Sequence, residues 1–211
     1  MSETRPPKSS HKPQLAGFHP SKSELRAAAL ARRDALTPLE RAAAAEAVAA
    51  RPFPLNVTEG MVIAGYSPIR SELDPFPLMR ALRARGARLA LPCVVGRDRP
   101  LAFREWSFGQ ALVVGKFGIL EPTPDAAAVE PDVVLVPLAA FDREGHRIGY
   151  GAGFYDRTLA ERAAPERMIA LGLAFATQEV TGVGALPHDV RLDYIATERE
   201  TIVPGSMMAR D

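Results

Sequence analysis

The sequence predicts an α/β fold, a three-layer sandwich around a mostly parallel, Rossmann-like sheet. Three observations carry this. From Met61 onward short apolar runs alternate with helix-length segments, the pattern of a parallel sheet with covering helices. Val133-Val134-Leu135-Val136-Pro137 has no polar interruption, as befits a strand buried on both faces. Between that run and the next helical segment stand Gly149, Gly151 and Gly153. A strand, a glycine-rich loop and a helix start can together build an anion site.

The elements follow in order. Residues 1–20 are rich in Pro, Ser, Lys and His, which predicts a disordered leader. Ser21 and Glu24 form a capping box that opens a helix over 22–36, with Leu25, Ala28 or Ala29, Leu30 and Leu36 as its apolar stripe. Thr37-Pro38-Leu39-Glu40 opens a second helix over 38–50, which Pro52 and Pro54 end. Met61 to Tyr66 reads as a buried strand. Asp74-Pro75 starts a helix to Arg85 that Gly86 stops. Strands are expected at Arg88–Val95 and, antiparallel to it, Leu101–Trp106. Residues 107–130 read as loop with a short strand near Ile119. After the central strand come a helix over 152–163, a strand over Met168–Leu173, and edge strands at Val190–Tyr194 and Thr201–Val203. Nothing divides the ordered body, so residues 21–211 are expected to form one α/β domain.

Composition narrows the function. Hydrophobic residues are 47% and charged residues 24%, ordinary for a globular chain. No apolar run approaches the ~20 residues of a membrane helix, and one cysteine, Cys93, allows no internal disulfide. A cytoplasmic protein without a membrane partner is expected. Net charge is +1, with seven Lys/Arg and two Glu in residues 1–33. With so small a net charge nothing overall recommends nucleic acid, and no nucleic-acid partner is expected.

The glycine segment, Arg147 to Arg157, matches neither the dinucleotide fingerprint nor the Walker pattern. By spacing alone a flexible turn serves as well. Arg147, Arg157, Asp156 and the pair Tyr150 and Tyr155 favour a ligand. Lys22 and Arg26, four apart on one helix face, are either a solvated basic face or a phosphate clamp. Glu72 and Asp74 pass as surface or capping acids. Cys93 has no base partner, and His188 beside Asp189 reads as a surface residue.

Arg147-Ile148-Gly149-Tyr150-Gly151-Ala152-Gly153-Phe154-Tyr155-Asp156-Arg157 resembles the signature of the 5-formyltetrahydrofolate cyclo-ligase (methenyltetrahydrofolate synthetase) family. Supporting matches are Lys22-x-x-Leu25-Arg26, Ser71-Glu72-Leu73-Asp74, Gly118-Ile119-Leu120-Glu121-Pro122 and Pro187-His188-Asp189-x-x-x-Asp193. The resemblance spans about residues 21–204.

It implies an ATP- and magnesium-dependent closure of 5-formyltetrahydrofolate, with or without a polyglutamate tail, to 5,10-methenyltetrahydrofolate, by a monomer. ATP would lie on Lys22, Arg26 and the loop Arg147, Ile148, Gly149, Tyr150, Gly151, Ala152, Gly153, Phe154 and Tyr155. Arg147 and Tyr155 would be catalytic. Glu72, Tyr150 and Phe154 would bind folate, and Asp156 and Asp193 would hold the metal. Ala152 and Phe154 depart from the family's usual Gly and Tyr, and neither change removes a charge. The rivals are a sugar-phosphate isomerase or CoA-transferase-like enzyme, which needs no ATP, and a non-enzymatic nucleotide- or RNA-binding protein.

Overall fold

The structure, a computed structural model, describes residues 20–161, 168–184 and 189–205. The expected leader, the last expected residues of the helix over 152–163, and the motif residues Pro187 and His188 lie outside the described residues.

The chain opens with two helices, α1 (Lys22–Asp34) and α2 (Pro38–Ala50). Both begin on complete capping boxes, Ser21 with Glu24 and Thr37 with Glu40, so two otherwise orphaned N–H groups at each start are satisfied. Then come β1 (Val62–Ala64), α3 (Phe76–Ala84), β2 (Arg88–Cys93) and β3 (Ala102–Glu105). A hairpin of β4 (Leu112–Val114) and β5 (Leu120–Pro122) precedes the central β6 (Val133–Pro137). A second hairpin, β7 (Ala140–Phe141) with β8 (Arg147–Ile148), leads to α4 (Phe154–Glu161), β9 (Ile169–Leu173), β10 (Tyr194–Ala196) and β11 (Thr201–Ile202).

Seven strands form one sheet in the order β11-β10-β9-β6-β1-β2-β3. The five inner strands run parallel, and β3 and β11 are antiparallel edges. The period of two separates its faces. Val133 and Leu135 pack with Leu78, Met79 and Leu82 of α3 and Ala44, Ala45 and Val48 of α2. Val134 and Val136 pack on the other face with Leu159 of α4. Helices on both faces make the expected three layers. Each fully buried Leu or Met of α3 contributes roughly 1.5–3 kcal/mol, and the Asp74 carboxylate accepts from the Phe76 amide at 2.9 Å where the helix begins. Among the described residues no helix is long and apolar enough to cross a membrane.

Boundaries moved where a local bond outcompeted the pattern. The strand expected at Val190–Tyr194 forms at Tyr194–Ala196. Upstream of it, the Leu192 amide donates to Gly145 O, so that stretch crosses the β7–β8 turn before reaching the sheet. Strand β2 stops at Cys93 because the Val94 amide turns to the Glu121 carboxylate, at 3.0 Å. Helix α4 starts at Phe154, two residues late, since Gly151 (φ 98°) and Gly153 (φ 67°) occupy the left-handed region, which a right-handed helix excludes. Of the two hairpins only the strand near Ile119 was anticipated, and it forms as β5 at Leu120–Pro122.

The sheet reverses direction of progression at β1. The chain moves from β1 to β2 on one side, and from β6 to β9 on the other. Ligands in open α/β sheets bind at such a switch point, beyond the carboxyl ends of the strands. The turn after β1 and the glycine loop after β8 both lie there.

Candidate active site

A pocket of about 420 Å³ opens at this switch point. The entire run 147–156 lines it, together with Lys22, Arg26 and Glu72. Four segments far apart in sequence therefore share one wall: α1, the turn after β1, the glycine loop with the first turn of α4, and Asp189.

Helix α1 supplies the basic side. Lys22, Arg26, Ala29 and Arg33 recur at the spacing of one helix face. Ala29 is fully buried against Ala140, Ile148 and Val183, and its small side chain brings the helix close to the loop. The stripe thus uses Ala29, not the exposed Ala28. Each cation then finds a fixed partner. Lys22 Nζ lies 2.5 Å from Asp189 Oδ2. Arg26 Nε donates to Gly149 O at 2.8 Å. Arg33, only 2% exposed, donates to the Tyr150 hydroxyl and, at 3.0 Å, to Ser71 Oγ. Ser71 in turn donates to Asp34.

The loop is held at both ends. Arg147, buried in β8, reaches Val190 O with Nη1 and Asp156 Oδ1 with Nη2, each at 2.6 Å. Burial lowers the pKa of this guanidinium, and Asp156 and Asp189 counter the shift. Arg157 Nη2 donates to Ala152 O at 2.6 Å and to Arg97 O at 2.9 Å. Ala152 is outside the left-handed region, so alanine replaces glycine there without backbone strain. The Phe154 ring stands 5.9 Å from that of Phe117, and the Arg157 guanidinium lies over it at 5.4 Å. An apolar ring suits both neighbours.

Glu72 forms the opposite, acidic side. The turn from Ile69 folds its carboxylate back onto the Ile69 amide at 2.8 Å, and Arg70 takes φ 55° to close that turn. Burial raises the pKa of Glu72, opposed by the Ile69 amide, the Tyr150 hydroxyl and the charges of Arg33 and Arg70. Burial raises Tyr155 too, with Glu72's charge adding to it. Tyr155 therefore stays protonated at neutral pH: it can donate a hydrogen bond and cannot serve as a base.

Of the site residues expected from sequence, Asp193 is the one the pocket leaves out. Its Oδ2 accepts from the Ala170 amide at 2.9 Å, pinning the start of β9. The carboxylates on the lining are Glu72, Glu121, Asp156 and Asp189. Glu121 had only the loose Gly-Ile-Leu-Glu-Pro run as a signal, Phe117 only its place beside that run, and Asp189 only the Pro187-His188-Asp189-x-x-x-Asp193 match. Arg33 had none beyond its register on α1.

The comparisons with known proteins agree with this geometry. Residues 19–198 match the family model described as the 5-formyltetrahydrofolate cyclo-ligase family. The 5-formyltetrahydrofolate cyclo-ligase of Mycolicibacterium smegmatis is 36% identical over 191 residues, covering 87% of this chain and 96% of that protein. The solution structure of the 5,10-methenyltetrahydrofolate synthetase of Aquifex aeolicus superposes with a TM-score of 0.70 at 31% identity, over 90% of this chain and 96% of the other. The Mycoplasma pneumoniae 5,10-methenyltetrahydrofolate synthetase gives 0.64 at 25% identity, over 84% and 98%. With nearly the whole length matched in sequence and in fold, the chain belongs to the 5-formyltetrahydrofolate cyclo-ligase family.

Proposed function

We propose that this chain closes 5-formyltetrahydrofolate to 5,10-methenyltetrahydrofolate at the expense of ATP, releasing ADP and phosphate. The observation that supports it is the convergence of two α1 cations, Lys22 and Arg26, the open glycine loop and Glu72 on one pocket. A site for an anionic nucleotide and a site for a flat, donor-rich ring meet at the glycine loop.

Lys22 and Arg26 hold the triphosphate, and the amides of the loop 147–155 approach it where Gly149 and Gly151 leave open space. Glu72 accepts from the adjacent N–H donors of the pterin, and Tyr150 and Phe154 flank the ring. The formyl oxygen then attacks the γ-phosphorus and ADP leaves. Nitrogen 10 attacks the activated carbon, and phosphate departs with the proton of that nitrogen. Arg147, immobilised between Val190 and Asp156, presents a fixed positive charge to the transferring group. Tyr155 donates a hydrogen bond from its protonated phenol. Positioning and charge neutralisation are what phosphoryl transfer asks of a protein.

The donor set fits magnesium carried in by ATP. Among the described residues no three His, Cys, Asp or Glu side chains gather into a metal cage. Magnesium keeps several waters and is satisfied by one or two carboxylates plus phosphate oxygens. Asp156 is the residue that would hold it, and the ion supplies charge neutralisation on the phosphates. Asp193, engaged at β9, is not assigned to this role. The working unit is a cytoplasmic monomer, its residues 21–211 one catalytic domain, acting on the substrate with or without a polyglutamate tail.

The test is direct. Purified protein with 5-formyltetrahydrofolate, ATP and magnesium should generate the ultraviolet absorbance of the methenyl product, and omitting ATP or adding EDTA should abolish it. ATP binding without any methenyl product would reject the enzymatic reading in favour of a nucleotide-binding accessory protein.

A further inference from the structure

We infer that Arg33 is a positioning residue for the folate end of the pocket, tying the Tyr150 hydroxyl of the glycine loop to the Ser71 turn that carries Glu72. The inference rests on the assignment of Glu72 and Tyr150 to folate made above.

An arginine 2% exposed in an alanine-rich helix is unusual, because an uncompensated buried guanidinium is costly. Its surroundings explain why it is kept. Arg33 Nε is held by Ser71 at 3.0 Å, and Ser71 is anchored by Asp34. Nη1 meets the Tyr150 hydroxyl. A guanidinium has donors only, so the hydroxyl must accept from it and direct its own proton elsewhere. The neighbouring acid toward which that proton is drawn is Glu72. The polarity is therefore set at its first step: Arg33 donates to Tyr150, whose own proton is left for the Glu72 side. Ser71 is also Glu72's neighbour in sequence, so Arg33 grips the turn that carries the acid and the loop that carries the ring. One rigid fork fixes both walls.

Few other groups govern the charge on Glu72. Tyr66, Tyr150 and Tyr155 face it, and burial raises all three phenols, so they stay neutral. Arg70, on the same turn, is exposed. Arg33 is the buried cation acting on the acid, and together with the Tyr150 hydroxyl it opposes the upward pull of burial on Glu72. Taking either away moves the carboxyl further above the ordinary range.

The experiment measures KM for each substrate and the pH profile of kcat/KM in the wild type, Arg33→Met, Arg33→Lys and Tyr150→Phe. Arg33→Met should raise KM for 5-formyltetrahydrofolate tenfold or more, leave KM for ATP within threefold, and move the acid limb for folate to higher pH. Tyr150→Phe should move the limb the same way, and adding Arg33→Met to it should increase the folate KM by less than twofold. Arg33→Lys keeps the charge and loses the fork, so its limb should stay near that of the wild type while its folate KM rises. These last two variants carry the test if Arg33→Met does not fold. A lowered melting temperature with the limb and folate KM unmoved would make Arg33 merely structural. Equal loss for both substrates, or fully additive effects, would also overturn the inference. A wild-type protein that forms no methenyl product fails at the earlier step, by refuting the activity itself.

Discussion

Lys22 Nζ and Asp189 Oδ2 stand 2.5 Å apart across 167 positions of sequence. The first turn of the first described helix is thereby tied to the segment entering β10, and the pair lies on the pocket wall. Both side chains are partly exposed, at 32% and 17%, so the pair itself adds little stability, on the order of 1 kcal/mol or less. Its worth lies in keeping a cation oriented until a phosphate arrives. Lys22→Met preserves the stem and deletes the charge. Steady-state kinetics should show KM for ATP raised tenfold or more, KM for folate within threefold, and a melting temperature within a few degrees of the wild type. A folate-selective defect would contradict the assignment of Lys22 to phosphate.

The loop glycines differ in what alanine would do to them. A Cβ on Gly149 meets nothing within 4 Å, and its φ is not positive. Gly149→Ala should therefore fold normally, with its melting temperature within about 2 °C of the wild type, yet project a methyl toward the ligand. A several-fold rise in KM for ATP is expected. Gly151 also has open space, but its φ is 98°. Gly151→Ala should cost about 1–2 kcal/mol of backbone strain as well as activity. Calorimetry beside kinetics separates the two. An unaltered KM in Gly149→Ala would argue against the loop as a nucleotide cradle.

What sequence could reveal followed from how local each signal is. Ser21 and Thr37, with their partners three residues on, fixed two helix starts because a capping box is complete within one turn. Val133–Pro137 was legible because a strand buried on both faces needs no partner to be recognised. As pairings the two hairpins were not: strands of two and three residues carry no periodicity to detect. Lys22, Glu72 and the loop came from motifs, and their convergence from the topology. Arg33 escaped because an arginine on a helix reads as a solvated face, and only the approach of Ala29 to the β7–β8 hairpin buries it. The place of Asp193 off the pocket lining was hidden for the converse reason. Its motif position could not reveal that the Ala170 amide takes its side chain.

The raised pKa of Glu72 sets a pH dependence. Burial, the largest cause, lifts the carboxyl above its ordinary value of 4.5. As the pH falls through that raised pKa, the acid protonates and can no longer accept from two pterin donors. Affinity for 5-formyltetrahydrofolate is therefore present above this pKa and lost below it. The acid limb of kcat/KM for folate should lie above 4.5 and should be displaced from that for ATP. In Glu72→Gln the limb should vanish while folate KM rises at every pH and ATP KM stays within threefold. A wild-type limb at or below the ordinary carboxylate range would remove Glu72 from the titrating role.

Gly145 links stability to the fixed position of Arg147. It turns the β7–β8 hairpin at φ 88°, and its carbonyl accepts from the Leu192 amide. A Cβ there would come within 2.9 Å of both Leu192 O and Pro204 Cγ, closer than real contacts allow. Strain and overlap together predict a loss of about 2–3 kcal/mol for Gly145→Ala, or roughly 5–10 °C in melting temperature. The consequence should reach the chemistry. Pushing the Leu192 strand away also moves Val190, whose carbonyl holds Arg147 Nη1 at 2.6 Å. Small displacements of a positioning group are costly in rate, so kcat measured well below the transition should fall about fivefold or more. Gly182→Ala is the control, since its Cβ meets nothing within 4 Å and its φ is not positive, and it should change neither quantity. A destabilised Gly145→Ala with wild-type kcat would show that Arg147 does not depend on the Val190 anchor.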